Sequence, residues 1–182
     1  VNKIQYRPEI DFLRAIAVSA VIIYHAKANL FGQKLFQGGY LGVDIFFVIS
    51  GYLITSIIFK ELESKNNFSF TKFYLRRARR ILPALFFVIL ISLPIPWFTF
   101  MPSSFVDFAK SILFSLGFSS NFYFYFTGLE YGAVSGLLKP LLHTWSLAVE
   151  EQFYILFPLL FVAGFIFLKK KIKILCIFYF SF

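Results

Sequence analysis

The amino-acid sequence predicts an all-α protein: a polytopic transmembrane helix bundle of about four to five membrane-spanning segments plus one truncated segment. Three observations lead there. The chain is 59% hydrophobic and 15% charged, with 28 Phe among 182 residues, whereas a soluble domain runs near 45–50% apolar and about 25% charged. The apolar residues gather in runs of about 20, the length that crosses hydrocarbon. The basic residues flank those runs, seven between Lys60 and Arg80 and four between Lys169 and Lys173, as in the cytoplasmic loops of membrane proteins. This placement, rather than a basic face, sets nucleic acid aside as the partner suggested by the net charge of +9.

The first span is read at residues 11–31. Glu9, Asp11 and Arg14 interrupt its start, so it reads as a signal anchor and not a cleavable signal peptide. A polar loop at 32–39 leads to the second span at 40–59, and residues 60–80 read as a polar, basic connector. The third span covers 81–101, with Pro94 and Pro96 expected to kink its far end. Residues 105–126 are apolar but carry Lys110, Gly117, Ser119, Ser120 and Asn121. They either cross fully, which puts the basic run after the last clear span, 145–168, outside, or form a re-entrant or interfacial segment, the favoured reading, which keeps that run on the cytoplasmic side. The same rule puts the N-terminus inside and residues 26–39 outside, in the cytoplasmic (inner) membrane. No internal repeat and no soluble domain is visible. The lone cysteine, Cys176, allows no internal disulfide and reads as a packed or lipid-facing residue. Because the chain begins at Val1 and stops within the short apolar run 172–182, residues 1–182 are expected to be the N-terminal part of a longer protein, inactive in isolation.

Ionisable groups in such segments carry the chemistry, since a central Arg costs about 3 kcal/mol to insert and must face protein or water. On a helix, His25 falls within about 20° of Arg14, roughly 16 Å further along, and Asp11 about 60° away. The alternative is that Asp11 and Arg14 anchor at the interface. In the second span Asp44 shares a face with Gly51 and Thr55, and Gly42, Ser50 and Gly51 let a helix or a thin cofactor arm approach. Lys72, Arg76, Arg79 and Arg80 fall in an arc of about 100°. That arc suits either phosphate oxygens, which arginine meets in bidentate fashion, or anionic lipid. His143, Glu150 and Glu151 make an unusually polar mouth to the last span, one glutamate pairing or capping while the other lines a cavity. Trp145, Asn121 and the aromatic residues beside Asn121 read as interfacial.

In order and spacing, four stretches resemble the acyltransferase-3 family of membrane-bound O-acyltransferases, the group containing O-antigen acetylases. They are Arg14 and His25 after residues 6–11, residues 42–53, residues 76–83 and residues 142–154. Residues 6–11 and 120–124 resemble the subgroup whose membrane domain is followed by a C-terminal SGNH-type domain; Phe12 stands where many relatives carry Gly. The resemblance implies a bundle of about ten helices, acetyl-CoA as donor, no metal, and a cell-surface or lipid-linked glycan as acceptor, such as the O-antigen of lipopolysaccharide. It implies Arg14 and His25 as the central pair, with Arg76, Arg77, Arg79 and Arg80 on coenzyme A phosphates. Glu150 and Glu151 would then lie in the catalytic or acceptor region. The expected partners are membrane lipids, the glycan and the rest of the same protein. The competing class is a transporter in which Arg14, His25 and Asp44 relay protons or solute.

Overall fold

The computed structural model describes residues 7–27, 29–30, 33–34, 37–65, 67–129 and 139–179, with backbone alone at 29–30, 33–34, 65 and 170–179. Tyr6, part of the 32–39 loop, the end of the 172–182 run and the Cys176 side chain lie outside the described residues. The fold is all-α apart from one two-residue strand pair, and the chain divides into two compact units, Val1–Phe68 and Ser69–Phe182.

The first unit is a helical hairpin of α1 (Pro8–His25) and α2 (Leu41–Lys65), with β1 (Asn29–Leu30) and β2 (Gln33–Lys34) between them. Pro8 starts α1, where its missing N–H is no loss. The helix stops at His25, six residues before the expected end of the span, because the chain turns through Ala26 into Lys27, whose φ of 49° is left-handed. Asn29 then pairs antiparallel with Lys34. Glycine sets the closeness of α1 and α2. A Cβ on Gly42 would stand 2.5 Å from the Ala17 carbonyl oxygen and 2.7 Å from Val21 Cγ2, and one on Gly39 would stand 2.3 Å from the Ala20 carbonyl oxygen. Neither contact is possible for a larger residue, so the two backbones touch there, as small residues permit between membrane helices. At the other end Arg7 Nη1 donates to the Tyr52 hydroxyl at 2.7 Å, which fixes the antiparallel register.

The second unit holds α3 (Phe70–Ser92), α4 (Pro94–Thr99), α5 (Pro102–Leu116), α6 (Ser120–Leu129) and α7 (Thr144–Tyr179). Its core is Leu85, Ile89, Phe108, Phe124 and Leu141. Pro94 interrupts the third span at Leu93, as expected of a proline that lacks an amide hydrogen. The expected connector 60–80 is shorter than the charge pattern implied. α2 continues to Lys65 and α3 starts at Phe70, because Lys, Glu, Arg and Leu are good helix formers in water as well. Residues 105–126 are not one helix: α5 and α6 break at Gly117–Ser119, with Phe118 at φ 50°. At 1.5 Å per residue α5 is about 22 Å and α6 about 15 Å long, so neither alone crosses about 30 Å of hydrocarbon. No break separates 145–168 from the basic run that follows, as α7 is continuous over 36 residues. The expected separate segment from 172 is therefore a continuation of α7, lysine being a good helix former.

Among the described residues three helical stretches are long and apolar enough to cross a membrane: Leu41–Ser64, Phe70–Thr99 and Thr144–Lys169. The fold is thus that of a membrane-embedded helical protein. α1, at 18 residues with Glu9, Asp11 and Arg14, is shorter and more charged than these.

Candidate active site

In the first unit the charged residues of α1 occupy different surroundings. The Arg14 side chain is 24% exposed, and its Nη1 lies 3.9 Å from Asp11 Oδ1, one turn away and itself half exposed. Arg14 Nε is buried and has no hydrogen-bond partner. An orphaned buried donor costs about 1–3 kcal/mol, the kind of exception that calls for an explanation such as a site. His25 is the exposed last residue of α1, three turns further on. Its Nδ1 contacts the Val21 carbonyl at 2.9 Å. A carbonyl only accepts, so Nδ1 carries a hydrogen and in the neutral ring the lone pair is on Nε2. The Tyr24 ring stands edge-on to the imidazole, centroids 5.1 Å apart.

On α2, Asp44 is exposed in the first turn, and Ser50 is buried. Nothing lies within 4 Å of a Cβ built on Gly51, so that glycine, unlike Gly42, faces open space. Thr55, on the Asp44 face, donates its hydroxyl to the Gly51 carbonyl at 2.7 Å.

In the second unit the arginines separate. Arg76, Arg79 and Arg80 are exposed along α3, and among the described residues none makes an ion pair. Arg77 turns inward instead. Its guanidinium carbon lies 4.6 Å from the centroid of the Tyr154 ring and 5.8 Å from that of Phe73. Tyr154, 3% exposed, donates its hydroxyl to Glu150 Oε1. Glu151 is 7% exposed, and its Oε1 is buried without a partner. Arg77, Tyr154, Glu150 and Glu151 thus form one cluster on α3 and α7, while His143 sits exposed in the turn that precedes α7.

Hydrogen bonds seat the first turns of α7 on both sides. Gln152 Nε2 donates to the Phe118 carbonyl at 2.8 Å and to Asn121 Oδ1 at 3.0 Å, and Asn121 Nδ2 returns to Gln152 Oε1 at 3.4 Å. Ser115 and Thr144 share a hydroxyl bond of 2.8 Å, and Tyr74 donates to the Ile155 carbonyl at 2.9 Å. Sequence reasoning missed Tyr154, Gln152 and Tyr74 and placed Asn121 at the interface. A lone amide on each of two apolar helices was the available signal, because such groups must find partners.

Apolar helices that carry a buried Glu and half-buried Arg groups define a polytopic helical membrane protein of the enzyme or transporter class. Residues 7–182 match the acyltransferase-3 family, described as an acyltransferase domain, and the chain belongs to that family. It is 40% identical over 154 residues to the peptidoglycan O-acetyltransferase OatA of Listeria monocytogenes, covering 85% of this chain and 24% of the relative. It is 39% identical over 171 residues to the "putative peptidoglycan O-acetyltransferase" YrhL of Bacillus subtilis, covering 93% of this chain and 26% of the relative. With a "putative O-acetyltransferase" of Staphylococcus aureus it shares 38% identity over 178 residues, 98% of this chain and 28% of the relative. The chain therefore spans about a quarter of the length of these relatives. No solved structure matches it.

Proposed function

We propose that the chain is the N-terminal helical portion of a membrane O-acetyltransferase that moves an acetyl group from cytoplasmic acetyl-CoA to a hydroxyl of a cell-wall glycan. The observation that carries this reading is the match to the family over residues 7–182 together with relatives named for peptidoglycan O-acetylation. Those names favour a peptidoglycan hydroxyl over O-antigen as the acceptor. The family membership and the exposed arginine row on α3, which a proton relay does not need, favour transfer over transport. The protein would sit in the cytoplasmic membrane with its N-terminus and the α2–α3 junction inside, and an SGNH-type domain would follow the helices.

Side chains of α3 support the donor. Arg76, Arg79 and Arg80 are exposed and without ion pairs among the described residues, so their fork-shaped donors are available to phosphate oxygens. Arg77, stacked on Tyr154, does not belong to that row. Acetyl-CoA, when bound, supplies a thioester carbonyl carbon. Nε2 of His25 takes the proton of the acceptor hydroxyl as the new C–O bond forms and the C–S bond breaks, then returns it to the departing thiolate. Arg14, with its uncommitted Nε, orients the acyl group or neutralises the developing oxyanion.

Replacing His25 with Ala in the full-length protein tests the reading. A general base contributes about 10²–10⁴-fold, so glycan O-acetylation falls at least about 100-fold at normal expression. Normal acetylation by the His25→Ala protein would end the assignment.

A further inference from the structure

The half-buried Arg77 and the buried Glu151 stand in one cluster and attract each other across it. Among the described residues no ion pair joins them, and Glu151 Oε1 has no hydrogen-bond partner. A guanidinium and a carboxylate this poorly solvated ordinarily pair, since an uncompensated buried charge is costly. Tyr154 touches Arg77 and Glu150 at once. Its ring face holds the guanidinium at 4.6 Å through a cation–π contact, and its hydroxyl holds Glu150 at the same time. The backbone supports this arrangement from both sides: Tyr74 binds the Ile155 carbonyl, and Gln152 binds the Phe118 carbonyl. Side chains at 151 and 154 are therefore fixed in rotation about α7.

We propose that Tyr154 is a positioning residue that keeps Arg77 off the adjacent glutamates, so that Glu151 retains a carboxylate oxygen for a hydrogen-bond donor engaged during the reaction. Taking that donor to be the acceptor hydroxyl rests on the acyltransferase reading above. The separation of Arg77 from Glu151 by Tyr154 does not. Removing the ring lets Arg77 close onto Glu151, and the site is lost by over-pairing rather than by unfolding. A tyrosine that merely filled space would instead loosen the protein when removed, leaving Glu151 as reactive as before or more so.

The test uses the full-length protein in detergent with a hydrophobic carbodiimide, which modifies buried carboxyl groups lacking a cationic partner, and mass spectrometry of the peptide containing Glu151. Tyr154→Leu is expected to lower labelling of Glu151 at least about fivefold, and adding Arg77→Gln to restore it, since the effect passes through Arg77. The thermal midpoint of Tyr154→Leu is expected to stay at or above that of the wild type. In the transfer assay kcat falls about 100-fold with KM for the donor unchanged, the pattern of an interaction made only in the transition state. Tyr154→Phe keeps the ring on Arg77, so it retains both labelling and most of kcat. This second variant decides the matter if Tyr154→Leu does not fold. Unchanged labelling in Tyr154→Leu, or lowered labelling in Tyr154→Phe, overturns the proposal. An inactive wild type with the expected labelling pattern would refute the acyltransferase reading and leave the Arg77–Tyr154–Glu151 arrangement supported.

Discussion

Gln152 commits both ends of its side-chain amide inside the protein, to a backbone carbonyl and to the amide of Asn121. Replacing it with Leu strands those partners, so Gln152→Leu is expected to destabilise the full-length protein by about 1–3 kcal/mol, measured as thermal unfolding in detergent. The same measurement on Gln152→Leu with Asn121→Leu is expected to show a loss smaller than the sum of the two singles by at least about 0.5 kcal/mol. Additive losses would mean that the pair does not act as a unit. The sequence showed Gln152 only as one member of a polar run and Asn121 as an interfacial residue, because their pairing spans 31 positions and depends on how α6 lies on α7. Arg77 was hidden for a similar reason. The arc of Lys72, Arg76, Arg79 and Arg80 already left it out, but its seat on the Tyr154 ring depends on how α3 lies beside α7. By contrast Glu150 and Glu151 stood out in the sequence, as adjacent carboxylates at the mouth of an apolar helix have no ordinary place in lipid.

The elements themselves were largely readable where lipid dictates them. Runs of about 20 apolar residues located the cores of α2, α3 and α7, and Pro94 located the break after α3. Hydropathy marks the depth of hydrocarbon and not the end of a helix, so α2 and α3 run well past the boundaries it suggested. The ending of α1 was hidden for a different reason, a left-handed lysine at position 27 where glycine is the usual signal. The packing of α1 on α2 yields a paired prediction. A Cβ at Gly42 collides with the Ala17 carbonyl, whereas one at Gly51 meets nothing within 4 Å. Gly42→Ala should therefore cost about 1–3 kcal/mol through forced separation of the helices. Gly51→Ala should be neutral or stabilising by about 0.5–1 kcal/mol through helix propensity. Thermal unfolding of both variants in detergent checks the contrast, and equal losses would contradict the packing. A Gly51→Ala protein of normal stability that fails in transfer would assign the open face of α2 to substrate.

At the scale of the molecule, charge placement carries the topology. In a Cys176→Ser background, a membrane-impermeant maleimide is expected to label Gln37→Cys in intact cells and Asn67→Cys only after permeabilisation; the reverse pattern would invert the orientation proposed for the chain. Function was legible in the sequence as a family likeness, carried by Arg14, His25, the Arg76–Arg80 cluster and the Glu150–Glu151 pair in order along the chain, and the family match over residues 7–182 agrees with it. The acceptor was not legible, since the chain spans about a quarter of the relatives' length. The most direct measurement is thioester cleavage by the purified full-length protein, supplied with acetyl-CoA and a peptidoglycan oligosaccharide and compared with its His25→Ala variant. Cleavage that depends on the oligosaccharide and falls at least about 100-fold in His25→Ala is predicted. No cleavage by the intact protein, or equal cleavage by the two, would contradict the account.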